Sequence, residues 1–212
     1  MYVPAIYSSH DDQWPRDMVR RFPLATLVTN GPVMPHATHL PAVPVPGAPQ
    51  TGPLAGSVMV GHIPRANPHW AALEIGTHAR LIFAGPHGYI TPAVYQATPA
   101  GPTWNFAAIH LLGTLEPLAG LDATLEVVTH TTEVCEAAFG DGWDPAGSLD
   151  HFRAIGPGVG AFRFHVASVE SMFKLSQELT EDTRDRVITR LSDSRAGTAR
   201  DLADLMRAYD PA

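Results

Sequence analysis

The spacing of apolar positions changes several times along the chain, and each change predicts a change of element. Leu24-Ala-Thr-Leu-Val-Thr29 is a short apolar run closed by Asn30-Gly31-Pro32, which reads as a buried strand followed by a turn. His36-Ala-Thr-His-Leu40 is its expected antiparallel partner, and residues 41–53 (PAVPVPGAPQTGP) read as a Pro/Gly-rich loop too short to link two domains. Alternation over Leu54–His62 predicts another strand. His78–Ala84 predicts the next, continued by Gly88–Pro92 beyond a turn, and Trp104–Leu115 predicts one long strand. A last alternating stretch runs from Val159 to Val169.

Helical spacing takes over elsewhere. A short amphipathic helix is expected from Ser9 or His10, with Asp11 and Asp12 suited to its N-terminal end and Trp14, Met18, Val19 and Phe22 as its apolar stripe. Asn67-Pro68 opens a short helix carrying Trp70, Leu73 and Ile75. Residues 121–139 place Leu121, Leu125, Val128, Cys135, Ala138 and Phe139 on one face of a long helix. Two polar-faced helices follow near 181–191 and 195–209, the second burying Leu202, Leu205, Met206 and Tyr209. This order of elements predicts an α+β fold, an antiparallel β-barrel with peripheral helices, as a single domain over residues 1–212. Strands and helices do not alternate as a Rossmann fold requires.

Composition narrows the function. With 14 basic and 21 acidic residues the net charge is −7, which argues against a nucleic-acid partner. Cys135 is the one cysteine, so an intrachain disulfide and a cysteine-based zinc site are excluded. No apolar run reaches the roughly 20 residues of a membrane span. The opening MYVPAIYSSHDD lacks the basic-then-apolar form of a secretory signal, so a soluble, cytoplasmic protein is expected. Twenty prolines and eighteen glycines lie scattered between apolar segments, as turns of a β-rich fold would. The basic residues are thirteen Arg and one Lys, Lys174, against eleven His.

No GxGxxG, Walker, HExxH, GxSxG or CxxC signature occurs. His36 and His39, three apart in a strand, face opposite sides and make a poor metal pair, leaving a zinc or non-haem iron site from scattered histidines as a minor alternative. The densest chemistry lies in Gly61-His-Ile-Pro-Arg-Ala-Asn-Pro-His-Trp70. His62 there suits iron ligation and Arg65 suits a phosphate or carboxylate; the plainer readings are a turn histidine and a surface ion pair. Met172–Glu178 (MFKLSQE) is the second such segment, with Lys174 either an anion ligand or acid–base group or a solvated strand-end lysine. Pro102–Phe106 (PTWNF) sets Trp104 and Asn105 before a strand, which also reads as core packing and a turn.

Taken together, MYVPAIY, RFPLATLVT, HATHLP, GHIPRANPHW, FAGPHGYITPAVY, PTWNFAAIHLLG and FKLSQ resemble, in order and spacing, the PaiB-type proteins called FMN-binding negative transcriptional regulators. The resemblance covers residues 1 to about 191. It implies a split β-barrel related to flavin-binding oxidoreductases, a homodimer, and cofactor sites at the subunit interface. Three departures from the family pattern fall in the presumed site. Glu178 replaces the amide of KLSQN, Val94 stands where SPSWY carries tryptophan, and Pro64 precedes the arginine of GHVARANP.

The chain is also similar to the piperazate synthase branch of these proteins, which uses haem b to form the N–N bond of L-piperazic acid from N5-hydroxy-L-ornithine. That likeness implies haem at His62, with Arg65, Asn67 and Trp70 beside it. Tyr89, Trp104, Asn105, Ser176 and Gln177 complete the expected cofactor site, and His69, His78, His87 and His110 are the other possible iron ligands. Glu178 suits a substrate ammonium, Arg65 or Lys174 its carboxylate, and either Lys174 or Glu178 the general base. The alternatives are an FMN-binding oxidoreductase with Arg65 and Lys174 on the phosphate, a haem-binding or haem-degrading barrel, and a transcriptional regulator.

Overall fold

The computed structural model describes residues 1–209. Six strands, β1 (Leu24–Thr29), β2 (His36–Pro44), β3 (Val58–Pro64), β4 (Thr77–Ile90), β5 (Thr103–Pro117) and β6 (Val159–Lys174), close into an antiparallel barrel in the order β1-β2-β3-β6-β5-β4. The helices are α1 (Gln13–Arg21), α2 (Pro68–Ala71), α3 (Leu121–Phe139), α4 (Leu149–Ile155), α5 (Glu181–Ser192) and α6 (Gly197–Ala208). The α+β barrel expected from the sequence is the observed architecture. By contacts the chain divides into a central unit, residues 11–83 and 110–170, and a terminal unit, residues 1–10, 84–109 and 171 onward. Among the described residues no helix is long and apolar enough to cross a membrane.

In the central unit β1 lies between β2 and β4, with Leu27 opposite both Thr38 and Leu81. Period-two alternation buries Ala25, Leu27, Met59, Ile63, Leu81, Phe83, Leu111, Phe162 and Phe164. Gly61 is required in this core, because a Cβ there would stand 2.7 Å from Leu40 and 2.9 Å from Phe162. α3 packs over Val43, Val60 and Ala161. Its bounds match the sequence reading, but its buried face does not. Thr124, Val127 and Thr131 are buried, whereas Leu121 and Phe139 are exposed. The threonines escape an apolar census yet bury at no cost in unmet hydrogen bonds, since their hydroxyls donate to Gly120 O and Val127 O within the helix.

Other elements shift from expectation for local reasons. α1 starts at Gln13, beyond Ser9 and His10, because the Asp11 carboxylate accepts from both Gln13 N and Trp14 N at 2.9 Å. β2 runs on through Pro44, pairing with β3 over Ala42–Pro44, so the loop begins later than residue 41. β3 begins at Val58 because Ser57 N turns back to Leu54 O around Gly56, whose φ is +82°. Buried Arg16 on α1 donates to the carbonyls of Pro49, Gly52 and Pro53 at 2.7–3.0 Å, which ties the Pro/Gly loop down.

In the terminal unit α5 and α6 cover the second half of β4. The turn expected between Ala84 and Gly88 is absent: β4 is continuous through Gly85-Pro86. What changes there is the buried face, from Leu81 and Phe83 to Pro86, Gly88 and Ile90. Gly88 permits the second arrangement, since a Cβ would come within 2.9 Å of Leu191 and 3.3 Å of Leu202. α6 buries Leu202, Leu205 and Met206 as its spacing predicts, and Tyr209 stacks on Phe173 with ring centroids 5.9 Å apart.

Candidate functional site

The candidate residues fall into two clusters, one in each unit. The central cluster is the 61–70 segment. Arg65 N and Nε donate to Gly158 O and Val159 O at 2.8 and 2.9 Å, and its guanidinium lies 4.9 Å from the Trp70 ring centroid. The other side of the indole rests on Gly160, where a Cβ would stand 2.4 Å away. Asn67 caps α2, accepting from His69 N at 2.9 Å while its amide donates to Thr38 Oγ1 at 3.2 Å. Arg65, Asn67 and Trp70 thus hold the segment against the start of β6 and the strand β2.

His69 is sealed into this arrangement. Its Nε2 and Nδ1 each lie 2.9 Å from a threonine hydroxyl, Thr29 and Thr38, and the His36 ring stacks on it at 5.1 Å. Burial, and then neighbouring His36, push its pKa below the ordinary value. With both ring nitrogens engaged, His69 has no lone pair to offer a metal.

His62 differs. It lies on β3 opposite Ala161, on the same strand face as Val60, and its Nδ1 is buried without a hydrogen-bond partner. Burial lowers its pKa, so the ring is held neutral, the form that ligates iron. The rival histidines are otherwise placed. His110 Nδ1 faces Arg80 at 3.2 Å, His87 Nδ1 accepts from Trp104 Nε1 at 3.3 Å, and His78 is exposed. Among the described residues no group of three or more His, Cys, Asp or Glu could hold a metal ion. Were a haem bound at this segment, His62 is the neutral imidazole with an unengaged nitrogen that would hold it.

The terminal cluster gathers around the end of β6. Lys174 Nζ donates to Thr103 Oγ1 at 2.6 Å and stands 5.7 Å from the Tyr7 ring centroid. Burial and then the Glu178 carboxylate raise the Tyr7 pKa. Burial followed by Glu178 and Tyr89 does the same to Tyr95, so both phenols stay protonated donors. Tyr89 and Trp104 pack with ring centroids 6.0 Å apart and planes tilted by 59°, and both are about half exposed, at 54% and 49%. Gln177 turns inward: Oε1 accepts from Leu175 N at 2.7 Å and Nε2 donates to Phe173 O and Ile6 O, which staples the N-terminal segment to the turn after β6. Ser176, at φ +62°, accepts from the Asn105 amide at 2.7 Å. Both residues are fully buried, and Asn105 Oδ1 is left without a partner. Tyr7, Tyr95 and Thr103 were not foreseen as site residues; Tyr7 lies inside MYVPAIY, but its partners lie more than 160 residues away.

Comparison with known proteins places this geometry. The family model described as "Putative FMN-binding domain" matches residues 1–168. The chain belongs to this family. It is 28% identical, over 97% of its length and 96% of the relative's, to "Protease synthase and sporulation protein PAI 2" of Bacillus subtilis. Among solved structures it is similar in fold to a conserved hypothetical protein of Mycobacterium tuberculosis, with a TM-score of 0.58 at 14% identity, covering 85% of this chain and 95% of that one. It is likewise similar to the FAD and haem binding protein of Mycobacterium smegmatis, with a TM-score of 0.56 at 16% identity, covering 84% and 78%. These likenesses establish the split-barrel fold.

Proposed function

We propose that this protein is a haem-dependent cyclase that closes N5-hydroxy-L-ornithine into L-piperazic acid, acting in the cytoplasm as a homodimer. The observation that carries the reading is His62, a half-buried imidazole held neutral, whose Nδ1 is buried without a hydrogen-bond partner. The FAD and haem binding protein of similar fold supports it, since one such barrel accommodates a haem.

Bound haem supplies a Lewis-acidic iron that weakens the N–O bond of a hydroxylamine. The chain's own groups bind and orient the substrate. Lys174, held by Thr103, takes the α-carboxylate; exposed Glu178 takes the α-ammonium and then accepts its proton. The freed α-amine forms the N–N bond as the N–O bond breaks, and the departing hydroxyl leaves with a proton as water. Nothing is oxidised or reduced overall, so no external reductant is needed.

The test is an absorption spectrum of the purified protein with added hemin, for wild type and His62→Ala, followed by product analysis with N5-hydroxy-L-ornithine. Wild type develops a Soret band and forms piperazate; His62→Ala loses or strongly shifts the band. Flavin bands with no haem uptake would overturn the reading. They would favour the second one, an FMN-dependent oxidoreductase with Lys174 on the phosphate, which the family match supports. A regulator that binds DNA directly is disfavoured by the net charge of −7.

A further inference from the structure

Asn105 and Ser176 meet inside the terminal unit, out of reach of solvent. Both are fully buried, and the Asn105 amide donates to Ser176 Oγ at 2.7 Å. The arrangement is unfavourable in two respects. Asn105 Oδ1 is left buried without a partner, and Ser176 sits at φ +62°, the left-handed region that a residue with a Cβ disfavours. A turn selected for stability alone would carry glycine at 176 and an apolar residue at 105. Strain of this kind persists where the surroundings over-determine it, and it gathers at functional sites.

What the turn determines is the place of Lys174. Beyond Ser176 the Gln177 side chain folds back on the strand end, accepting from Leu175 N at 2.7 Å and donating to Phe173 O and Ile6 O. The contact with Ile6 brings the neighbouring Tyr7 ring to 5.7 Å from Lys174 Nζ. The other partner of that ammonium, Thr103 Oγ1, accepts at 2.6 Å from a position two residues before Asn105 on β5. Both partners therefore come from segments that the Asn105–Ser176 bond ties together. We infer that Asn105 is a positioning residue: by holding Ser176 left-handed it fixes the seat of Lys174, and it touches no ligand itself. Its bearing on turnover rests on the proposed reading of Lys174 as the partner of the substrate's α-carboxylate; its bearing on the lysine does not.

Lys174 is the chain's one lysine, so protein grown with carbon-13-labelled lysine gives a single Cε–Hε side-chain signal by NMR. In wild type the Tyr7 ring displaces that signal from the position of free lysine. Asn105→Ala returns it toward that position. The same variant raises KM for N5-hydroxy-L-ornithine about tenfold with kcat kept, the scale of one charge-assisted hydrogen bond. Adding Ser176→Gly, which takes a positive φ freely, restores both although it enlarges the cavity left at 105. A residue that only filled space would not be rescued in this way. If Asn105→Ala does not fold, Ser176→Ala breaks the same bond from the other end and gives the same displacement. An unmoved lysine signal in the folded single variants, or no rescue by Ser176→Gly, would overturn the inference. Wild type that forms no piperazate, with the signal still moved and rescued, would overturn the substrate reading and leave the role of Asn105 standing.

Discussion

The two candidate clusters are built on opposite plans. In the 61–70 segment, backbone carbonyls hold Arg65, Asn67 caps α2, two threonines clamp His69 and a glycine seats Trp70. The conspicuous exception is His62, whose Nδ1 is buried and unmet. Around Lys174 and Glu178 the order reverses: the charged groups are half-buried or exposed, and a threonine hydroxyl and the Tyr7 ring engage Lys174 instead of backbone. A hydrogen-bonded segment with one buried, unmet nitrogen suits a resident cofactor that stays. A wet, charged, side-chain-built seat suits a substrate that comes and goes.

The sharpest way to break that contrast is at Gly160. A Cβ there already meets the Trp70 indole at 2.4 Å, so Gly160→Val displaces the ring and costs about 1–3 kcal/mol, read from the midpoint of urea unfolding. The same variant loses haem uptake although His62 is intact. Normal stability with normal uptake would show that the segment is not the preformed seat described here.

Legibility in the sequence follows the same division. β1 was readable because a buried apolar run stops at Asn30-Gly31, and the extent of α3 because apolar residues recur at helical spacing over 121–139. β4 was misread because Gly85-Pro86-His87-Gly88 carries turn residues, yet Gly88 serves packing under α5 and α6 instead. α4 escaped notice: seven residues with no buried member offer no periodic stripe. His62 was named from the sequence ahead of His69 and His110, whereas the state of their ring nitrogens, engaged in His69 and His110 and buried unmet at His62 Nδ1, is visible only in the folded chain. The contact of Lys174 with Tyr7 was invisible, because only the folded chain brings residues 167 positions apart together.

A medium-sized effect is expected from pH. His62, His69 and His110 all have pKa values lowered by burial, so the folded chain resists protons that the unfolded chain accepts. Stability is therefore complete above the unfolded histidine pKa of about 6.5 and falls as pH drops below it, by about 1.4 kcal/mol for each unit of depression. Urea midpoints between pH 8 and pH 5 read the slope. His69→Gln flattens part of it, and an unchanged slope in that variant would remove the sealed histidine from the account.

The smallest stability effect belongs to the substrate cluster. Glu178 is exposed, so Glu178→Gln shifts stability by no more than about 0.5 kcal/mol and leaves the Soret band in place. Turnover of N5-hydroxy-L-ornithine nevertheless falls away. Full turnover in that variant would move the proton acceptor elsewhere, with Lys174 next in line.

Arg16 has a consequence for how freely the chain can vary. Its three bonds go to main-chain oxygens of Pro49, Gly52 and Pro53, so the guanidinium recognises the path of the loop and none of its side chains. Ala48, Gln50 and Thr51 can be randomised together in a library and the loop will still be gripped. Arg16 admits no substitute there, because a lysine offers a single point of attachment where a planar fork makes three.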